Sequence, residues 1–313
     1  MTKNIRSRAL GAFVGLAVGD ALGAPVEFKV RDTFPEISEM LTGGYFNLPA
    51  GAWTDDTAMA LCLADSLNFS PDFDAEDLLD RFIRWIDLHE NTSIGKCIGV
   101  GQNTLTVLGN YRRTKQIIAP FIKGRSDGNG ALMRVAPVAV RHFDNIAKAR
   151  AIAAKQSRTT HSSVLSEQIC IAMMDILIGL ISGISWSEAI GQITSHKVAA
   201  EIDLIFQGSW KHKDRDNISS SGYVVDTFEA ALWAVETTST FENALIVAVN
   251  LGHDADTVGA VAGQLAGARY GYDAIPNRWL NCLIKRDEII DRFDSLWACS
   301  SINSSINEHK SSL

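Results

Sequence analysis

Ala9-Leu10-Gly11-Ala12-Phe13-Val14-Gly15-Leu16-Ala17-Val18-Gly19-Asp20-Ala21-Leu22-Gly23 is the stretch that decides how this chain folds. It shows no strand-like alternation and reads as a helix over Ala9–Leu22 with small residues on one face. Gly11, Gly15, Gly19 and Gly23 fall four apart, so they stack on one side. Each glycine inside a helix costs roughly 1 kcal/mol relative to alanine. Four of them call for close approach to the backbone by another helix or a ligand; glycines that merely ease packing are the plain alternative. Far downstream, Asp256–Tyr270 repeats the pattern with Gly259, Gly263 and Gly267 at the same spacing.

Outward from these two segments the periodicity stays helical. Thr54 stands where an N-cap belongs, with Asp55 and Asp56 in the first turn of a helix to Leu67. Asp74 caps an amphipathic stretch, Ala75–Leu88. Gly130–Val135 reads as a short helix before Pro137. Asn145–Gln156 and Ser163–Leu180 follow, and Ser185 or Ser187 caps another. Lys211–Gly222 is polar and aperiodic, an exposed loop. Asp226–Glu236 and Phe241–Leu251 are helical, and Pro276 suits the first turn of a further helix. No run of alternating β-branched residues is bounded by hairpin turns, and no fixed repeat occurs. The expected architecture is all-α: one domain over residues 1–299, with a Ser-rich tail at 300–313.

The 313 residues are 46% apolar and 21% charged, with a formal charge of −7. Such a balance fits a globular protein and argues against nucleic acid, whose phosphates need concentrated Lys and Arg. An acidic chain still binds a small anion where local dipoles or metals supply the positive charge. Five cysteines, with no C-x-x-C, argue against a disulfide framework or structural zinc and for a reducing compartment. The polar start lacks a signal-peptide core, and the apolar run Ile169–Ile181 is too short to span a bilayer. Those features lead to a cytoplasmic expectation without membrane attachment.

Two acidic clusters carry the chemistry: Trp53-Thr54-Asp55-Asp56-Thr57 and Gly252-His253-Asp254-Ala255-Asp256-Thr257. Each sets two carboxylates and a Thr hydroxyl near a predicted helix start. Asp in a first turn is also what the helix dipole favours, so either cluster alone reads equally as a cap. Together, oxygen-only ligands select hard cations such as Mg²⁺ or Mn²⁺, and two divalent ions balance four carboxylates. A third segment, Ser126-Asp127-Gly128-Asn129-Gly130-Ala131-Leu132-Met133-Arg134, puts small residues at a loop-to-helix junction, where backbone N–H groups reach an anion or simply make a turn. In Thr159-Thr160-His161-Ser162-Ser163, His161 either bonds a ribose or phosphate or packs beside a cap. Glu27, after Gly23-Ala24-Pro25-Val26, is a ligand, a base or an exposed loop acid.

The ordered set Gly-Asp-Ala-Leu-Gly-Ala-Pro-Val-Glu (19–27), Thr-Asp-Asp-Thr (54–57), Gly-Asn-Gly-Ala-Leu-Met-Arg (128–134), Thr-His-Ser (160–162) and Asp-Ala-Asp-Thr-Val-Gly-Ala (254–260) resembles the ADP-ribosylglycohydrolase family. The motifs span roughly Leu10 to Gly271. The resemblance implies a compact orthogonal helical bundle, usually a monomer, with a metal-floored cleft. It implies that Thr54, Asp55, Asp56, Asp254, Asp256 and Thr257 bind two Mg²⁺ or Mn²⁺ ions, with Asp56 or Asp256 bridging. Glu27 then lies on a movable loop over the metals and acts with Asp55, Asp56 and Asp256 in catalysis. Gly99, Gly101, Ser126, Gly128, Asn129, Gly130, Ala131, Met133 and His161 contact substrate, and Tyr223 stacks on adenine. The implied reaction is hydrolysis of the N- or O-glycosidic bond between ADP-ribose and an acceptor, releasing ADP-ribose.

Two positions depart from the family pattern. Gly99 stands where arginine-directed members carry an Asp, which tilts the expectation towards an O-linked or free conjugate. His253 replaces a small or polar residue; it tunes the site's water or fills space. The competing readings are a catalytically silent ADP-ribose-binding or crystallin-like structural protein, and another binuclear phosphoester hydrolase.

Overall fold

A computed structural model describes residues 2–193 and 198–299. Fourteen α-helices, numbered in chain order, make up the described fold; two isolated bridges are its only β pairing. They are α1 (Thr2–Gly23), α2 (Asp55–Phe69), α3 (Ala75–Leu88), α4 (Gln102–Thr114), α5 (Ala136–Arg141), α6 (Ile146–Thr160) and α7 (Val164–Ser182). Then come α8 (Trp186–Ile193), α9 (Ala200–Phe206), α10 (Val224–Glu236), α11 (Phe241–Val249), α12 (Ala255–Tyr270), α13 (Asn277–Cys282) and α14 (Arg286–Ala298).

The partner of the first glycine stripe is the second. A Cβ placed on Gly11 would lie 2.4 Å from the Gly267 carbonyl oxygen, on Gly15 2.3 Å from that of Gly263, on Gly19 2.0 Å from that of Gly259, and on Gly23 2.4 Å from that of Ala255. The reciprocal clashes from Gly259, Gly263 and Gly267 are equally close. α1 and α12 therefore run antiparallel and touch backbone to backbone, closer than side chains would let two helices approach. Of the two partners the spacing offers, helix or ligand, the helix is the one present. The antiparallel register sets the last turn of α1 against the first turn of α12.

Around this pair the other helices bury their apolar faces in one cluster reaching from Ala9 to Leu296. The segments Asn4–Val26 and Val164–Ser182 are each long and apolar enough to cross a membrane, longer than the run Ile169–Ile181 indicates, but the most apolar 18 residues of the first are all buried inside the fold, and 72% of those of the second. Helices buried all round need no polar face.

Several helix starts follow their sequence signals. Asp74 accepts from the Glu76 and Asp77 N–H groups, and Ser163 from those of Leu165 and Ser166. Ser185, rather than Ser187, begins α8, exchanging bonds with Glu188 in a capping box. The predicted helix Gly130–Val135 is instead a set of turns, and α5 begins at Ala136. Pro137 has no N–H to give and fits a first turn, so it opens that helix rather than closing one before it. α4, α9 and α14 lack a sequence expectation: of its apolar side chains α4 buries only Val107, Leu108 and Tyr111, too few anchors for a clear period. Pro276 falls one residue ahead of α13. The segment 211–222 is mostly exposed, as expected, and contains the 3₁₀ turn Arg215–Asn217. The tail 300–313 lies outside the described residues.

If backbone contact holds α1 to α12, Gly263→Ala should destabilise the protein by about 2 kcal/mol or more, although alanine is the better helix former. Gly109→Ala in α4, where a Cβ meets open space, should be neutral or slightly stabilising. Denaturant melts of both variants check this; equal effects would remove the close approach as the cause.

Candidate metal centre and ligand cleft

The meeting of α1 and α12 brings Asp20 beside Asp256, and α2 adds its first turn to the same place. Asp20 is fully buried. Its Oδ1 accepts from the Thr54 N–H (2.9 Å) and Thr54 Oγ1 (2.9 Å); its Oδ2 accepts from the Thr57 N–H (3.0 Å) and Thr57 Oγ1 (2.6 Å). One carboxylate thus grips both threonines of the Thr-Asp-Asp-Thr motif. Thr54 stands at the N-cap position of α2, but its hydroxyl makes no cap bond; it serves Asp20 instead. Burial raises the Asp20 pKa to about 6, against the four hydrogen bonds that lower it.

Asp56 and Asp256 are buried, and each keeps Oδ1 without a hydrogen-bond partner. Thr54 Oγ1 lies 3.4 Å from Oδ2 of both. Oxygen atoms of Asp20, Asp56 and Asp256 lie within 4.8 Å of one another, and so do those of Glu27, Asp254 and Asp256. Asp256 is common to both groups. Glu27, buried rather than exposed, also keeps Oε2 unpartnered. Burial, then the charges of Asp256, Asp55 and Asp254, pushes its pKa up to about 11. Burial and neighbouring acids likewise hold Asp55, Asp56 and Asp256 well above the usual carboxylate range.

Among the described residues no Lys or Arg forms an ion pair with any of these six acids. Left to themselves, they must hold protons to limit their repulsion. Partnerless oxygens, an oxygen-only donor set and two triads sharing one carboxylate fit hard divalent cations.

Backbone hydrogen bonds tie the Glu27 loop to the segment that precedes α12. After the 3₁₀ turn Ala24–Val26, the Phe28 N–H donates to the His253 carbonyl (2.6 Å) and the His253 N–H donates to the Lys29 carbonyl (2.7 Å). The His253 side chain is exposed, so what this residue gives the site is its backbone, held at φ 55°.

Above the acids opens a cleft of about 1010 Å³. Glu27, Asp55, Asp254, Asp256 and Thr257 line it, with Gly99, Gly101, Gly128, Asn129, Gly130, Met133, His161 and Tyr223. Thr54 and Asp56 are buried and do not line the cleft. Ser126 and Ala131 are fully buried and do not line it either: Ser126 Oγ accepts from the Ile122 N–H, holding the loop from within. The 126–131 loop is braced on two further sides. The Val224 N–H donates to the Asp127 carbonyl (2.9 Å), and the Asn129 N–H to the Gly222 carbonyl (3.1 Å), which pairs Gly128 with Tyr223. Asn129 Nδ2 donates to Asp254 Oδ2 at 2.6 Å and to Thr227 Oγ1 at 2.8 Å, tying the loop to the acids. Gly99 sits at φ 85°, and a Cβ there would fall 2.3 Å from Asp55 Oδ1.

Sequence reasoning gave Asp20 no role, although an acid inside an apolar helix was the available signal. It also passed over Phe28, Tyr45 and Phe46, whose rings meet edge to face on the cleft wall with centroids 5.0–6.3 Å apart. Nothing local marks Tyr45 and Phe46, because only the fold brings them to the cleft.

Known proteins resemble the chain in sequence and in fold. The chain is 39% identical over 290 residues to the ADP-ribosylarginine hydrolase Tri1 of Serratia proteamaculans, covering 93% of this chain and 79% of that protein. It is 35% identical to the ADP-ribosyl-[dinitrogen reductase] glycohydrolase of Rhodospirillum rubrum, covering 96% and 99%. A solved ADP-ribosylglycohydrolase-related protein complex aligns with a TM-score of 0.85 and 38% identity, covering 95% of this chain and 99% of that one. The family model for ADP-ribosylglycohydrolase matches residues 1–304, and the chain belongs to that family.

Proposed function

We propose that this chain is a cation-dependent hydrolase that cleaves the glycosidic bond between ADP-ribose and an arginine side chain. The observation that carries the reading is the pair of acid triads sharing Asp256, with partnerless oxygens and, among the described residues, no paired Lys or Arg. The arginine linkage draws on the relatives named ADP-ribosylarginine hydrolase. Gly99 alone favours an O-linked conjugate. Against that, Asp55 Oδ1 fills the space a side chain at 99 would enter, so a carboxylate is still present there.

Thr54, Asp55, Asp56, Asp254, Asp256 and Thr257 would hold two ions, Mg²⁺ or Mn²⁺. Held there, the cations would supply positive charge that offsets the acids and attracts the hydroxyls of a ribose. Among the described residues the Gly130 N–H has no backbone partner, and on the cleft wall it is left for the diphosphate. Tyr223, paired with Gly128 at the cleft, offers its ring to adenine. With cations bound to keep Glu27 ionised, its Oε2 would take a proton from the water that attacks C1″ as the C1″–N bond breaks, and would pass that proton to the nitrogen of the departing guanidine, which carries off the bond's electron pair. Carboxylates of Glu27 and Asp55 face the oxocarbenium-like charge that develops on the ribose.

ADP-ribose release from arginine-linked and serine-linked peptides tests this directly. Release from the arginine peptide with Mg²⁺ or Mn²⁺, and none in EDTA, is expected; preference for the serine peptide would overturn the linkage. Phosphate release instead would make the chain a phosphoesterase, and binding without turnover a silent binding protein. Asp56→Asn and Asp256→Asn should each lower kcat/KM by at least about 100-fold, on the order of 3 kcal/mol of transition-state stabilisation, with the fold intact by circular dichroism. Full activity in either would remove the mechanism's basis.

Stability should respond to pH in a metal-dependent way. In the folded chain Glu27 titrates at about 11 and Asp55, Asp56 and Asp256 well above their usual range. Unfolded, all four lose their protons near pH 4. A raised folded pKa gives stability that is complete at low pH and lost as pH rises towards the folded value. Metal-free protein should therefore melt at lower temperature at pH 8.5 than at pH 7, and added Mg²⁺ or Mn²⁺ should reduce that slope. An identical slope with and without cation would contradict the assignment of the acids as ligands.

A further inference from the structure

Arg134, at the end of the glycine loop, is fully buried, yet among the described residues none of its hydrogen bonds goes to a carboxylate. Its Nε donates to Gln156 Oε1 (2.8 Å), Nη1 to the Gly130 carbonyl (3.0 Å), and Nη2 to the Gln156 carbonyl (2.9 Å) and Thr160 Oγ1 (2.9 Å). The guanidinium lies 4.8 Å from the Phe82 ring centroid. Burial lowers its pKa to about 10, so it stays charged at neutral pH. A buried cation among neutral oxygens is costly unless an anion comes near. The open side of this region is the cleft, where Gly130 and His161 stand.

Hydrogen-bond arithmetic then fixes the imidazole. A guanidinium only donates. Thr160 Oγ1 therefore accepts from Arg134, and the other partner of that hydroxyl is His161 Nδ1 at 2.9 Å. If the hydroxyl proton goes to Nδ1, the imidazole carries its own proton on Nε2. The opposite tautomer would leave the buried hydroxyl proton with no acceptor. The ring is also wedged: a Cβ on Gly130 would fall 2.7 Å from His161 Cε1, and one on Gly128 3.3 Å from Nε2. Two glycines of the loop thus make room for this ring as well as for a ligand. Nε2 has no protein partner among the described residues, and His161 lines the cleft. Burial, then Arg134, brings the His161 pKa down to about 3, so the ring is neutral.

We infer that Arg134 is a positioning residue: through Thr160 it holds His161 as the Nε2–H tautomer, so the cleft offers a fixed neutral donor to a diphosphate oxygen. The identity of that ligand rests on the functional reading above. The tautomer does not. Arg134 also braces the loop by its bond to the Gly130 carbonyl, and its unpaired charge supplies the positive potential that an acidic chain needs for an anion.

The test is ¹⁵N NMR of histidine-labelled protein, with calorimetric binding of ADP-ribose, on wild type, Thr160→Val and Thr160→Ser. In wild type, His161 should show a protonated Nε2 and a bare Nδ1. Thr160→Val should mix the tautomers, weaken ADP-ribose binding about tenfold and raise KM more than it lowers kcat; Thr160→Ser should keep the wild-type spectrum and affinity. A wild-type Nδ1–H signature overturns the inference, as does a valine variant with unchanged tautomer and affinity. Should the valine variant not fold, the wild-type spectrum alone decides. No binding of ADP-ribose by wild type would overturn the functional reading, and with it the ligand named here, whatever tautomer the spectrum shows.

Discussion

Backbone contact between α1 and α12 is the constraint on which the rest of the structure depends. Glycines at matched positions let the two helices meet with no side chain between them. The contact joins the start of the chain to a segment near its end, and its antiparallel register leaves little freedom in what meets what. Asp20, near the C-terminal end of α1, must come beside Asp256 at the N-terminus of α12. Helix propensity is given up along both stripes; in return the two halves of an acid cluster meet at a fixed distance.

Asp20 turns that packing into a site. Its four hydrogen bonds to Thr54 and Thr57 dock the first turn of α2 on α1, which delivers Asp55 and Asp56 to Asp256. The backbone pairing of Phe28, Lys29 and His253 then carries Glu27 to the same point. The six acids come from four stretches of chain, and among the described residues none pairs with a Lys or Arg. Arg134, the one fully buried arginine among the described residues, stands apart, behind the glycine loop, among neutral oxygens. Charge inside this protein is therefore divided: a negative floor suited to cations, and beside it a positive wall suited to an anion. A ligand carrying both hydroxyls and a diphosphate matches that division.

The sequence by itself determined the helical class, most helix positions, the five motifs and the family. All of these rest on local spacing: period 3.6, caps such as Asp74 and Ser163, and short ordered runs around Asp55, Asn129, His161 and Asp256. It also showed that two glycine stripes need close partners. Tertiary structure alone decided that they partner each other, that Asp20 rather than a cap bond engages Thr54, and that His253 acts through its backbone. It decided as well that Ser126 and Ala131 lie behind the cleft wall, and that a turn precedes Pro137 where a helix was expected. Sequence spacing reports which residues share a face of one element. It says nothing of which face another element will meet, because that choice is made by long-range packing, and in this protein the choice places the chemistry.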